Sequence, residues 1–213
     1  MRCTRETMLL YAVTDRAWTG EKCLYDQVEE ALKGGVTCVQ LREKELDEEA
    51  FLQEAKHIQA LCRRYGVPLI INDKVSVALG CKADGIHVGQ EDMAAGDVRR
   101  LVGEDMILGV SVHTVEEAKA AASWGADYLG VGAVFPTLTK TDVGRMPMDT
   151  LKAICSVVEI PVVAIGGINQ DTIMELAGSG VDGVALVSAI FSAPDIQARC
   201  RMLRGMAEEM ARG

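Results

Sequence analysis

Short apolar runs alternate along the chain with longer segments in which apolar residues recur every three or four positions, and this alternation divides the chain into strand-then-helix units. The runs MLLYAVTD, VTCVQLR, PLIIND, GIHVG, MILGVS, YLGVGAVF, PVVAIGG and GVALVS predict eight strands. Between them, Leu24, Val28, Ala31 and Leu32 recur at i, i+4, i+7 and i+8, and Phe51, Ala55, Ile58 and Cys62 at i, i+4, i+7 and i+11. Each set marks one buried stripe of a helix. Thr114 followed by Glu117 reads as a capping box, Asp47 and Asn169 as N-caps, and Gly35, Gly66, Gly125 and Gly180 as helix stops. Strands apolar along nearly their whole length are covered on both faces, which points to a parallel sheet connected by helices. Eight such units close into an α/β, single-domain (β/α)8 TIM barrel over residues 1–213, with an open doubly wound sheet as the alternative. KADGIHVG, GADYLGVG and GVDGVALV each carry an Asp just before a strand, a faint echo at unequal spacings that fits βα units rather than a solenoid.

Composition narrows the picture. The 213 residues contain no Pro- or Ser-rich linker, and 49% are hydrophobic, as in a globular domain; the ten methionines read as core filler. The longest apolar runs are too short to cross a bilayer, and no small-residue cleavage site follows an apolar run at the N-terminus, so the expected location is cytoplasmic. Seven cysteines without a C-x-x-C pair fit free thiols in a reducing compartment. A formal charge of −9 opposes a nucleic-acid partner, so an anionic small substrate requires a local cluster of cations. Oligomeric state is open, a homo-oligomer being possible.

In a barrel of this kind, active sites lie at the carboxyl ends of the strands. Chemically capable residues collect there: QLREK, ND, GQED, GVS, FPTLTK, IGGI and VSA close successive strands, whereas the opposite ends carry PL, MI and PV. Asp73 and Asp92, beyond adjacent strands, are candidates for one Mg2+, an ion often held by one or two carboxylates with waters and substrate phosphates; the alternatives are a helix cap and a turn. Arg42, Lys44 and Lys140 supply the local positive cluster, though each alone also reads as a solvated loop cation. Gly166, Gly167 and Ser188 fall where this fold cradles phosphate, or simply turn the chain. The threonines of FPTLTKTD are either phosphate donors or a solvated loop. Gly178, Gly180 and Gly183 match G-x-G-x-x-G but precede a strand, the wrong order for a dinucleotide site. His57 reads as a surface residue and His87 as packed within a strand; His113 either lines the pocket or serves helix entry.

Taken in order, QLREK, IND, GQED, GVSVHT, FPTLTK, IGGI and VSAI resemble the thiamine-phosphate synthase (thiamine-phosphate pyrophosphorylase) family over about Leu10 to Ala193. The resemblance implies a transferase that joins 4-amino-2-methyl-5-hydroxymethylpyrimidine diphosphate to a thiazole phosphate, releasing diphosphate with Mg2+. Gln40, Arg42, Lys44, Asn72 and Lys140 would contact the pyrimidine diphosphate, Asp73 and Asp92 would hold the metal, and Ser111 would face the pyrimidine. Thr137, Leu138 and Thr139, with Gly167, Val187 and Ser188, would receive the thiazole phosphate. Arg42, Lys44 and Lys140 would be the catalytic cations. Val143 departs from the small residue expected there. Three other readings stay open: a thiazole tautomerase using a base such as His113, a non-catalytic thiazole-phosphate sensor, and a phosphosugar isomerase or epimerase barrel.

Overall fold

The computed structural model describes residues 3–20, 22–90, 95–136 and 146–213. A short helix α1 (Arg5–Met8) leads into β1 (Leu10–Val13), followed by α2 (Leu24–Lys33), β2 (Cys38–Leu41), α3 (Glu48–Tyr65), β3 (Leu69–Asn72) and α4 (Val75–Cys81). The chain continues through β4 (Gly85–Val88), α5 (Ala95–Val102), β5 (Ile107–Val112), α6 (Val115–Ser123), β6 (Tyr128–Val131) and α7 (Met148–Val157). It ends with β7 (Val162–Ile165), β8 (Gly183–Leu186), α8 (Ser188–Phe191) and α9 (Ile196–Arg212). The strands pair in parallel in chain order, and β8 returns to β1, closing the barrel. All eight predicted runs are strands. Most are shorter than the runs, which lose residues at one or both ends.

Side chains alternate across the barrel wall as the period of a strand requires. Leu10, Val39, Leu69, Ile86, Leu108, Leu129, Ala164 and Val184 point outward into the layer beneath the helices. Tyr11, Cys38, Ile70, Ile107, Tyr128, Val163 and Ala185 point inward, with Met8 of α1 joining that inner cluster. Eight strands leave an interior just wide enough for side chains to fill, so bulky inward residues face inward glycines on neighbouring strands. Gly109 lies opposite Tyr128 in the β5–β6 register, and a Cβ there would meet the tyrosine Cζ at 2.2 Å.

The aspartates before β4, β6 and β8 share one physical task. Asp84 Oδ2 accepts from the Leu69 amide at 3.0 Å, Asp127 Oδ2 from Leu108 at 2.8 Å, and Asp182 Oδ2 from Val162 at 2.9 Å. In each case the aspartate's own N–H donates to the carbonyl of the same partner, at 3.0, 2.7 and 2.8 Å. Thr37, before β2, completes the series: its Oγ1 accepts from Leu10 N at 2.9 Å and its N–H donates to Leu10 O at 2.9 Å. The sequence echo is thus a two-bond clamp that ties each even strand to the odd strand before it, at the end of the barrel away from the site.

Helix punctuation follows the expected chemistry with two differences. Asp47 caps α3 through the Ala50 amide, and Gly66 ends that helix with φ 67°. Thr114 caps α6 through Glu117 N, but the Glu117 carboxylate reaches back to His113 N at 2.7 Å, one residue earlier than a standard capping box. Asn169 does not cap an α-helix. Its Oδ1 takes the Asp171 amide, Thr172 Oγ1 takes the Asn169 amide, and only a 3-10 helix forms at Ile173–Leu176, with Thr172 at its N-cap. Local side-chain bonds of this kind compete with α-helix formation. Helix α9 packs against this segment and α2, burying Cys200, Leu203, Ala207 and Met210. The reading of methionine as core filler holds for Met8 and Met210 but not for Met174 and Met202, which are exposed.

The clamp predicts that Asp84→Ala, which strands the buried Leu69 amide, lowers unfolding free energy by about 1–3 kcal/mol. Asp84→Asn, which keeps an acceptor, should cost less than about 1 kcal/mol. Denaturant unfolding of both variants checks this, and catalytic turnover per folded molecule should be unchanged.

Candidate active site

At the carboxyl ends of the strands a cavity of about 140 Å3 opens into the barrel, a volume that admits a single six-membered ring. Gln40, Arg42, Asn72, Ser111, Gly167, Val187 and Ser188 all line it, so seven separately predicted residues share one mouth. Gln40, Asn72 and Ser111 do so because each is the last inward-pointing position of its strand, on β2, β3 and β5. Asp92, Thr137, Leu138, Thr139, Lys140 and Val143 lie outside the described residues. The stretch leading toward Lys140 is tied to the same mouth through Phe135 N, which donates to Gly166 O at 3.0 Å.

The floor of the cavity is a hydrogen-bonded chain across the barrel. Gln40 Nε2 donates to Tyr11 Oη at 2.9 Å, and the Tyr11 and Tyr128 hydroxyls are 2.8 Å apart. Tyr128 Oη lies 2.9 Å from His87 Nδ1, and His87 Nε2 lies 2.8 Å from Ser111 Oγ. Burial pushes both phenols well above their ordinary range, so they remain protonated. His87, expected to be packed in its strand, is indeed buried there, and both ring nitrogens are engaged.

The rim carries the charge. Lys44 Nζ lies 2.8 Å from Asp73 Oδ2, and Arg42 Nη1 lies 3.6 Å from Asp15 Oδ2. Thr14 binds this corner, accepting from the Arg42 amide at 3.0 Å while its own N–H donates to Gln40 O. Asp73 sits at φ 63°, in the left-handed region that Asp enters more readily than most residues, with its N–H donating to His87 O at 2.9 Å. Among the described residues no three acidic, His or Cys groups converge. A closed protein cage for a metal is therefore absent from that part of the chain. A half-buried carboxylate such as Asp73 still suits Mg2+, which keeps most of its sphere for water and phosphate oxygens.

Glu43, between the two rim cations, went unread in the sequence although it lies inside QLREK. Its side chain is only 2% exposed. One oxygen, Oε1, accepts from the amides of Lys44, Glu45 and Leu46 at 2.8, 2.7 and 3.3 Å. The other, Oε2, binds Arg16 Nε and Nη2 at 2.8 and 2.6 Å, and Arg16 also reaches Glu54 at 2.7 Å. Burial alone would raise this carboxyl. The loop amides and Arg16 outweigh that and hold it below the ordinary carboxylate range. The loop that carries Arg42 and Lys44 is thus wound around one buried carboxylate.

Opposite this corner, Gly166 and Gly167 have φ 96° and 67°, and a Cβ at Gly167 would meet Pro136 O at 2.4 Å. Glycine is therefore required both by the backbone conformation and by the close approach of the neighbouring strand-end loop. The short helix α8 begins at Ser188, as expected. His113 meets both expectations: it is among the residues lining the cavity, and it stands exposed at the entry to α6 with Nδ1 3.4 Å from Glu117.

A ring-sized cavity with a hydrogen-bonding floor and a cationic rim, at the carboxyl mouth of a (β/α)8 barrel, marks an enzyme for small anionic compounds. Comparison with known proteins makes that class specific. The family profile "Thiamine monophosphate synthase" matches residues 10–190. "Thiamine-phosphate synthase" of Clostridium tetani is 47% identical over 200 residues, covering 94% of this chain and 96% of that protein. The protein of the same name from Methanobrevibacter smithii is 50% identical over 184 residues, covering 86% and 88%. The solved thiamine phosphate pyrophosphorylase from Pyrococcus furiosus superposes with a TM-score of 0.89 at 39% identity, covering 97% of this chain and 98% of that one. The chain belongs to the thiamine monophosphate synthase family and is a transferase.

The buried carboxylate generates a prediction of its own. Glu43→Gln should lower turnover and cost roughly 1.5–3 kcal/mol of stability, the range for hydrogen bonds to a charged group. Because the folded-state carboxyl is held low, its stabilisation is complete above the ordinary glutamate value of about 4.3 and is lost as pH falls through the folded value. Unfolding measured from pH 7 down to pH 3 should therefore show an acid-dependent loss in the native protein that is smaller in the variant.

Proposed function

We propose that the chain joins 4-amino-2-methyl-5-hydroxymethylpyrimidine diphosphate to 4-methyl-5-hydroxyethylthiazole phosphate, or its carboxylated form, releasing diphosphate. The observation that carries this reading is one ring-sized cavity lined by Gln40, Arg42, Asn72 and Ser111, with Lys44 and Asp73, 2.8 Å apart, just beyond Arg42 and Asn72 in the chain. In this reading the pyrimidine enters the cavity and its diphosphate lies on the rim against Arg42, Lys44, Asn72 and Lys140. The thiazole phosphate is received by Thr137, Leu138 and Thr139 with Gly167, Val187 and Ser188.

The chemistry follows from where charge develops. The bond between the pyrimidine CH2 carbon and the diphosphate oxygen breaks, its electron pair leaves with diphosphate, and a benzylic-type cation remains on carbon. Arg42, Lys44 and Lys140 hold the leaving group more tightly as its charge grows, which lowers the barrier rather than merely strengthening binding. Mg2+, held by Asp73 and Asp92, would supply further neutralisation of the diphosphate charge. The thiazole nitrogen then gives its lone pair to the carbon, and anchoring of both substrates by phosphate makes that encounter effectively intramolecular. Ser111 and Gln40 orient the pyrimidine. No protein nucleophile is needed.

None of the described helices is long and apolar enough to cross a membrane. Small phosphorylated substrates and a cytoplasmic setting fit this reading.

Incubation with both precursors, with and without Mg2+, should give a fused product and stoichiometric diphosphate only when the ion is present; isomerisation of the thiazole phosphate alone would favour a tautomerase. Lys140→Ala should slow product formation by roughly a hundredfold or more. Asp73→Asn should raise the Mg2+ concentration for half-maximal rate by about tenfold. Near-native steady-state kinetics in both variants would remove these assignments.

A further inference from the structure

The cavity floor has a property that none of its members has singly, because its hydrogen bonds form one unbroken series. The bonds from Gln40 through Tyr11, Tyr128 and His87 to Ser111 are all 2.8 or 2.9 Å. Each phenol carries one proton, and an imidazole that accepts at one nitrogen donates at the other. Where each of these protons is spent within the series, fixing the direction of one bond fixes the rest. The Gln40 amide turns its nitrogen toward Tyr11. Tyr11 then donates to Tyr128, Tyr128 to His87 Nδ1, and His87 Nε2–H to Ser111 Oγ. Two groups are left for the cavity: the Gln40 carbonyl as an acceptor and the Ser111 hydroxyl as a donor. Running the series the other way requires the amide to flip, three hydroxyls to turn and the imidazole to change tautomer together.

We propose that these five side chains act as one polarity-coupled unit that recognises a heteroaromatic ring presenting both a hydrogen-bond donor and an acceptor, with Tyr11, Tyr128 and His87 as positioning residues that determine specificity. The inference rests on the pyrimidine reading of the cavity given above. An aminopyrimidine offers an exocyclic N–H donor and ring-nitrogen acceptors, and the floor offers one acceptor from β2 and one donor from β5. The 4-oxo counterpart presents the reverse, an oxygen acceptor next to a ring N–H, and binding it requires the whole series to reverse. Discrimination is then set by the difference between two collective states rather than by one contact. The packing protects the unit: a Cβ at Gly109 would lie 2.3 Å from the Tyr128 hydroxyl, and one at Gly130 would lie 3.0 Å from His87 Cε1. Those two glycines leave room for the rings that carry the series.

Tyr128→Phe cuts the series in the middle with almost no change of volume, and Tyr11→Phe cuts it one link earlier, so one serves if the other fails to fold. The experiment compares kcat/KM for the 4-aminopyrimidine diphosphate and its 4-oxo analogue, with thiazole phosphate saturating and thermal melting confirming the fold. The native protein should prefer the amino compound, and either variant should reduce that preference by about tenfold. Gln40→Ala and Ser111→Ala, non-additive in the native background, should become additive in the Tyr128→Phe background. A purely structural role for Tyr128 would lower stability or turnover for both substrates alike and leave the ratio intact. An unchanged ratio with an unchanged coupling, in a native protein that makes the fused product, overturns this inference alone. Failure of the native protein to make any fused product overturns the proposed function and this inference with it.

Discussion

Closing eight parallel strands into a cylinder leaves every second residue no direction but the axis, and this parity governs everything at the site. On β2, β3, β4 and β5 the last inward positions are Gln40, Asn72, His87 and Ser111, one polar residue per strand at one end of the barrel. A slip of one residue in any of these strands would turn its polar group into the apolar layer beneath the helices. The clamps of Thr37, Asp84, Asp127 and Asp182 guard against that slip at the opposite end, where each strand pair starts. The strand-pairing clamps and the candidate site thus lie at opposite mouths, as the architecture favours.

The proposed function requires the rim to hold cations ready for an anion in a chain whose formal charge is −9. The solution is pairing. Lys44 rests on Asp73, Arg42 lies near Asp15, and the loop between them is wound on Glu43, which Arg16 neutralises. Lys44 is exposed, so its pair is individually weak and the lysine can change partners at small cost; Arg42 and Asp15 are both half-buried but 3.6 Å apart, too far for a hydrogen bond, so Arg42 is not locked to that partner. Glu43 differs. Its burial and its three loop amides make it a fixed point, so the cations are mobile at their tips but anchored at their base.

Much of this was legible in the sequence, and the reasons are physical. Strand number, barrel closure and the convergence of Gln40, Arg42, Asn72, Ser111, Gly167, Val187 and Ser188 followed from apolar runs and from what ends them. Asn169 misled because its side chain and that of Thr172 bond the local backbone and hold the segment to a 3-10 helix; composition does not reveal that competition. Glu43 went unread because an acid between two cations has the pattern of a solvated loop, and only its burial distinguishes it. Tyr11, Tyr128 and His87 look apolar or packed in a one-dimensional reading. The signal that could have found them is strand parity, which places Tyr11, Gln40, His87, Ser111 and Tyr128 on one face. The clamp aspartates were visible as an echo, but their task needed the register.

The central claim is that residues far apart in the chain grip one diphosphate at the carboxyl mouth. Calorimetric titration of inorganic diphosphate into the native protein and into Lys44→Ala, each with and without Mg2+, tests it most directly. The account predicts binding that depends on Mg2+ and is weakened roughly tenfold or more in the variant, as expected for losing a charge-assisted contact. Equal affinity in both proteins, indifferent to the ion, would contradict it.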